Sequence, residues 1–183
     1  MIRVIGLHGK MFSGKSTVFE LLCEMARPKQ VKLVKFAGPL YDMQGMIYKR
    51  AYLDAPKVKD RKLLQWLGTE WGRSIDSNLW TGIWKRDANY VLENSPTTIV
   101  VSDDTRFDNE ADLIRSMGGI VIHVKSAQGH REKRASALGL EITDHASEAS
   151  LPADKIDIEV MNNETVTELR RQLWTALEPY RSL

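Results

Sequence analysis

The chain of 183 residues is 43% hydrophobic and 27% charged, with a formal net charge of +2. That length suits one ordinary domain, and no apolar run is long enough to cross a bilayer. The charge balance gives no broad basic field, so nucleic acid is not an expected partner and any anionic ligand must be gripped by local clusters. The one cysteine, Cys23, cannot form an internal disulfide and reads as a small core residue. The first residues run directly into a motif instead of a secretory leader, and the expected location is the cytoplasm.

Residues 2–8, "IRVIGLH", are an apolar, β-branched run that predicts a strand, with His8 as a structural residue at its end. Gly9, Gly14, Lys15 and Ser16 complete the spacing G-x-x-x-x-G-K-S, the Walker A pattern. A helical face of Val18, Leu22 and Met25 follows, and the helix exits at Pro28. The glycines let the backbone curl so that amide N–H groups converge on phosphate oxygens at the positive end of the helix. Lys15 is therefore expected on the β- and γ-phosphates of a nucleoside triphosphate and Ser16 on Mg2+, with Ser13 and Thr17 as supporting contacts. Lys10, Met11 and Phe12 form the crown of this loop, and Lys10 is expected to face the phosphates or a neighbouring lid.

A second strand is predicted at 31–37, followed by a helical block from about 39 to 95 that a simple alternation of strand and helix does not require. Within the block, Leu64, Leu67 and Trp71 mark one helical face and Leu79, Ile83 and Tyr90 another. Trp66 and Trp71 read as core, whereas Trp80 lies off the main apolar face and is the better candidate for stacking on a base. The third strand, 97–103, ends in Asp103, Asp104 and Arg106, at the sheet edge where ligands bind. Either aspartate suits Mg2+, and spacing does not choose between them; the planar fork of Arg106 suits a phosphate. Asp108 and Glu110 fit the first turn of a helix that carries Ala111, Ile114 and Met117. A fourth strand at 119–125 leads into the charged stretch 126–151, where Arg131 and Arg134, three apart, would share one side of a lid. A fifth strand at 155–161 and a helix bearing Val166, Leu169, Leu173 and Leu177 close the chain. The alternation implies an α/β fold: a parallel sheet with helices on both faces.

The Walker A loop, "KFAGPL" (35–40), "LLQWLGTEWGR" (63–73) with "LW" (79–80), "DTRFDNEADLI" (104–114) with "GGIVIHV" (118–124), and "HASE" (145–148) together resemble the deoxynucleoside monophosphate kinases of tailed bacteriophages, in the P-loop nucleotide kinase group. The resemblance implies a single three-layer α/β/α P-loop kinase domain over 1–183, with a five-stranded, mainly parallel sheet. Its monophosphate-binding insertion would lie at about 39–95 and its lid at about 126–151. It implies transfer of the γ-phosphate of ATP, with Mg2+, to a deoxynucleoside 5′-monophosphate. Lys15 and Ser16 then serve ATP and the metal, with Asp103 beside Ser16. Asp104 and Arg106 stand on the acceptor side, and Arg131 and Arg134 act from the lid. Phe36, Gln65, Thr69, Glu70, Arg73 and Trp80 would line the monophosphate pocket. Tyr41 stands where relatives often carry lysine, so that basic contact falls to Lys35. His145, Ser147 and Glu148 would anchor the far end of the lid. The implied partners are small nucleotides, with no nucleic acid and no membrane; a homodimer stays possible, and a phage-encoded chain would work in the host cytoplasm. The competing readings are another P-loop small-molecule kinase, acting on dephospho-coenzyme A or a sugar acid, and an ATP-binding regulator.

Overall fold

The computed structural model describes residues 2–54, 60–142 and 150–180. In chain order the elements are β1 (Val4–His8), α1 (Lys15–Met25), β2 (Val31–Leu33), α2 (Gly38–Arg50), α3 (Arg61–Gln65), a π-helical segment (Trp66–Gly72), α4 (Arg73–Ile75) and α5 (Leu79–Asn94). They continue with β3 (Ile99–Ser102), α6 (Asp108–Ser116), β4 (Ile120–Lys125), α7 (Gln128–Ala137), β5 (Ile158–Met161) and α8 (Val166–Ala176). The five strands form one sheet in the order β2-β3-β1-β4-β5. Every neighbouring pair is parallel, with Ile5 opposite both Val101 and Ile120 and His8 opposite His123.

The near-continuous apolar runs are explained by cover on both faces of the sheet. Side chains alternate along each strand: Leu7, Val101, Ile122 and Val124 point into a layer closed by Val18 and Leu22 of α1 and by Leu169 and Leu173 of α8. Val4, Val100 and Val121 point into the opposite layer, closed by Trp84 and Ala88 of α5 and Ala111 and Ile114 of α6. The helical block between β2 and β3 adds a smaller core of its own, built on Leu40, Leu67 and Trp80. β2 is shorter than its apolar run, ending at Leu33. The backbone of Phe36 and Ala37 turns instead toward Asp104, which accepts their N–H groups.

His8, 5% exposed at the end of β1, uses both ring nitrogens. Nδ1–H donates to the carbonyl oxygen of Thr105 at 3.0 Å, and Nε2 accepts the N–H of Leu151 at 3.3 Å. The ring therefore joins β1 to the loop after β3 and to the segment before β5, as a structural residue should. Burial lowers its pKa to about 4, and the neighbouring charges of His123, Lys15 and Arg106 act in the same direction. A histidine that is neutral when folded and has an ordinary pKa of about 6.5 when unfolded contributes stability that is complete above that value. That contribution is lost as the pH falls toward 4. The urea midpoint of the protein is expected to drop across this window, and the drop should be smaller in a His8→Gln variant measured alongside.

Candidate active site

Glycine is required at two points of the loop between β1 and α1, because Gly9 has φ +144° and Gly14 φ +99°. A methyl group at Gly9 would lie 2.4 Å from the carbonyl oxygen of Val124, and one at Gly14 would lie 2.0 Å from Nδ2 of Asn162. The loop is thus pressed against the ends of β4 and β5. Lys15 Nζ folds back over the crown, donating to the carbonyl oxygens of Gly9 at 2.6 Å and Lys10 at 3.1 Å. Ser16 is exposed on the first turn of α1, Thr17 is half-buried, and Ser13 is buried with its hydroxyl unpartnered among the described residues.

Beyond β3 the two aspartates do different things. Asp104 is a brace: Oδ1 accepts from Phe36 N–H at 3.0 Å and the Ser102 hydroxyl at 2.8 Å, and Oδ2 accepts from Ala37 N–H at 2.9 Å. Burial pushes its carboxyl above the ordinary range against the pull of those three bonds. Asp103 accepts from Lys35 Nζ on Oδ2 at 2.9 Å, while its buried Oδ1 has no hydrogen-bond partner among the described residues. Arg106 is half-buried, and its charge, like that of Lys15, is felt at His8.

Two neighbours close over the crown of the loop. From the helical block, Arg61 Nη1 lies 3.7 Å from Met11 Sδ. From the stretch after β4, Arg134 Nη1 donates to the carbonyl oxygen of Phe12 at 3.0 Å. Lys10 is exposed and lies, with Ser13, Ser126, Arg131 and Asn163, on the wall of a cavity of about 430 Å3 between α7 and the β5–α8 loop. Arg131 is only 7% exposed, and its Nε and Nη1 have no hydrogen-bond partner among the described residues. A buried guanidinium without a partner calls for an anion.

The family model for deoxynucleotide monophosphate kinase matches residues 49–173, well over half of the chain. The chain belongs to the deoxynucleotide monophosphate kinase family. A putative deoxynucleotide monophosphate kinase of Acanthamoeba polyphaga mimivirus is 30% identical over 131 residues, covering 64% of this chain and 61% of that protein. The deoxynucleoside-5′-monophosphate kinase of Escherichia phage T5 is 29% identical over 111 residues, covering 57% of this chain and 40% of that protein. The chain thus matches about three-fifths of the first relative's length and two-fifths of the second's. Among solved structures, TT1252 from Thermus thermophilus superposes with a TM-score of 0.66 at 16% identity over 98% of each chain. The APS kinase of Mycobacterium tuberculosis superposes with a TM-score of 0.55 at 14% identity, covering 97% of this chain and 98% of that one. At these identities the likeness is one of fold, the three-layer P-loop kinase architecture. The family match begins after the phosphate loop and spans the helical block and the region of α7.

Within the helical block of this family member, several side chains sit otherwise than expected. Trp80 is 3% exposed and donates its indole N–H to the carbonyl oxygen of Gly68 at 2.7 Å. A methyl at Gly72 would lie 2.3 Å from its ring, so the indole is walled in and offers no face to a base. Phe36 is 4% exposed and stacks on Trp84 with centroids 4.7 Å apart, so its side chain belongs to the core while its N–H serves Asp104. Trp66 and Trp71 reverse the expectation of burial, at 49% and 37% exposed. Five apart, they are separated by one i→i+5 step of the π-helical segment and share a side that a regular helix would have split. Gln65 is half-buried at the end of α3, and Thr69 and Glu70 are exposed on the π-helical segment.

Arg73 is committed elsewhere than a pocket wall. Its Nη2 donates to Glu110 Oε1 at 2.7 Å, and its guanidinium carbon lies 3.7 Å from the Phe107 ring centroid. Glu110, 3% exposed, also accepts the N–H groups of Arg106 at 2.7 Å and Phe107 at 3.1 Å on Oε2. Burial pushes its carboxyl up to about 7 against those bonds. This carboxylate fixes the backbone beneath Arg106, a role that its reading as an ordinary first-turn acid missed. His145, Ser147 and Glu148 lie outside the described residues. Because Asp104 braces the turn that starts α2, an Asp104→Asn change places an amide donor against one of the donors it now accepts. It is expected to cost about 1–3 kcal/mol, read as a lower denaturant midpoint. An unchanged midpoint would show that the turn is held by other contacts.

Proposed function

We propose that this chain phosphorylates deoxynucleoside 5′-monophosphates with ATP, giving ADP and the corresponding diphosphates. The observation that carries the reading is a Walker A loop at the end of β1, with Lys15 folded over its crown, in a chain that matches the deoxynucleotide monophosphate kinase family over residues 49–173. The bond between the γ-phosphorus and the ADP oxygen breaks as an oxygen of the acceptor phosphate bonds to that phosphorus. The acceptor oxygen is anionic at neutral pH, so no side chain needs to take a proton from it. What the reaction requires is two anions held in line with the charge between them neutralised.

This chain's residues supply those needs from several directions. Lys15 exchanges its two carbonyl partners for phosphate oxygens, which bind an ammonium more strongly. Asp103, with one oxygen unpartnered and buried, and the exposed hydroxyl of Ser16 suit a magnesium ion, which when bound draws charge off the phosphates. The described residues hold no cluster of three or more His, Cys, Asp or Glu, in keeping with a metal that relies on water and phosphate for its other ligands. Arg131, buried beside the phosphate loop with Nε and Nη1 unpartnered among the described residues, receives an anionic part of the donor nucleotide. Arg106 grips the acceptor phosphate. Trp71, rather than Trp80, offers an open indole face for a base.

ATP supplied with a panel of deoxynucleoside monophosphates should yield ADP and diphosphate for at least one base. Failure with all of them, together with turnover of a sugar acid or dephospho-coenzyme A, would move the chain to another small-molecule kinase class. Lys15→Ala is expected to lower kcat/KM by about a hundredfold or more while the melting temperature stays within a few degrees. Arg106→Ala should lower it by a similar factor, about a hundredfold, and a near-normal rate would refute its place on the acceptor.

A further inference from the structure

We propose that Arg134 and Asn162 are positioning residues that hold the crown of the phosphate loop in its anion-binding shape, so that Arg134 works on the loop rather than on the transferred group. A loop whose N–H groups point inward at phosphate must turn its carbonyl oxygens outward, and outward carbonyls in a partly dry setting need donors of their own. The crown has two such carbonyls with side-chain donors from elsewhere in the chain. Arg134 Nη1 donates to Phe12 O at 3.0 Å, and Asn162 Nδ2 donates to Ser13 O at 2.9 Å. Phe12 sits at φ +59°, a region that bulky residues rarely occupy, so its peptide needs outside support.

The two donors also hold each other. Arg134 Nη2 donates to the carbonyl oxygen of Asn162 at 2.7 Å, and Nη1 also donates to the Ser126 hydroxyl at 3.0 Å. Asn163 Oδ1 accepts the N–H of Ala127 at 2.7 Å, tying the start of α7 to the same β5–α8 loop. Asn162 is 6% exposed and so close to the loop that Gly14 has no room for a side chain. The fork of Arg134 is thus spread over three oxygens of three separate segments. Its neighbour Arg131, one turn earlier on α7, has two nitrogens with no partner among the described residues. Two arginines on one side of a helix therefore divide the labour: one shapes the cradle and the other meets the ligand.

The proposal rests on the reading of residues 9–17 as a phosphate loop but not on the identity of the acceptor. Its test is calorimetric titration of Mg·ATP and of inorganic tripolyphosphate, without acceptor, into the wild type, Arg134→Met, Arg134→Lys, Asn162→Ala and the Met/Ala double variant. The two single removals should each weaken both ligands by about tenfold or more. The double variant should lose less than the product, because both act on one element. Arg134→Lys, which keeps one donor for Phe12, should recover part of the loss. In turnover the change should appear in the KM for ATP, with the KM for monophosphate little altered. Asn162→Ala keeps the test decisive if Arg134→Met fails to fold. Normal ATP and tripolyphosphate binding in either removal variant overturns the proposal, and so do strictly additive losses. Normal binding with a collapsed kcat in Arg134→Met would instead put this arginine on the transferred phosphoryl group. If the wild type phosphorylates no deoxynucleotide, the acceptor reading falls while the tripolyphosphate titrations still decide the clamp. A wild type that binds neither ligand overturns both.

Discussion

In a sheet whose neighbouring strands all run parallel, every strand delivers its carboxyl end to the same edge, and here that geometry assembles the site. β1 lies in the middle, between β3 and β4, and releases the phosphate loop at Gly9. β3 releases Asp103 and Asp104 on one side of it. β4 releases Ser126 on the other, and β5 releases Asn162 one strand further out. Four strand ends that are far apart in the chain thus become neighbours around one loop. Each supplies a different service: an anion cradle, a carboxylate with a free oxygen, a helix that carries cations, and an amide that props the loop. Had one of these strands run antiparallel, its contribution would have gone to the opposite edge.

A net charge of only +2 gives no broad basic field, so the transfer between two phosphorylated molecules proposed for this chain would rest on cations placed locally. Lys15 lies over the phosphate loop at the end of β1, Arg106 lies in the loop that follows β3, and Arg131 lines the cavity beside the phosphate loop. His8, at the end of β1, is held neutral by burial and by the cations around it, so it adds no charge of its own and can serve purely as a brace. Lys35 is neutralised locally by Asp103, whose buried second oxygen has no hydrogen-bond partner among the described residues. The pattern separates residues that spend their charge on the fold from those that keep it for a ligand.

How much of this the sequence reveals depends on how far each feature reaches along the chain. The strands were legible because cover on both faces makes each a short continuous apolar run, and the phosphate loop because its mechanism is contained in eight consecutive residues. The roles of single side chains in the helical block were not legible. Whether Trp80 or Trp71 is open depends on Gly68, Gly72 and a π-helical stretch whose wider turn defeats a period of 3.6. Phe36 reads as a pocket residue until Trp84, 48 positions later, takes its ring. Asp104 reads as an acceptor-side partner of Arg106 or a magnesium ligand until its own partners, 67 and 68 positions away, become visible. Arg131 and Arg134 look alike in sequence, and only the contacts of Arg134 with Phe12, Ser126 and Asn162, 122, 8 and 28 positions away, set them apart.

The two buried acids near the site, Asp104 and Glu110, bear on the mechanism for the same reason. Both have carboxyls raised by burial, the property that commonly marks a general acid or base. Yet each is ringed by donors: Asp104 by two backbone N–H groups and a hydroxyl, Glu110 by two backbone N–H groups and Arg73. A carboxylate whose lone pairs are spent in this way is poorly available to a substrate proton, and the phosphate acceptor of the proposed reaction has none that must be removed. Their raised pKa values are better understood as the cost of bracing a backbone from the inside. Asp104 sets the turn that begins α2, and Glu110 sets the turn beneath Arg106. In the proposed reaction the catalytic burden is then left to cations and to geometry, which is what transfer between two anions demands.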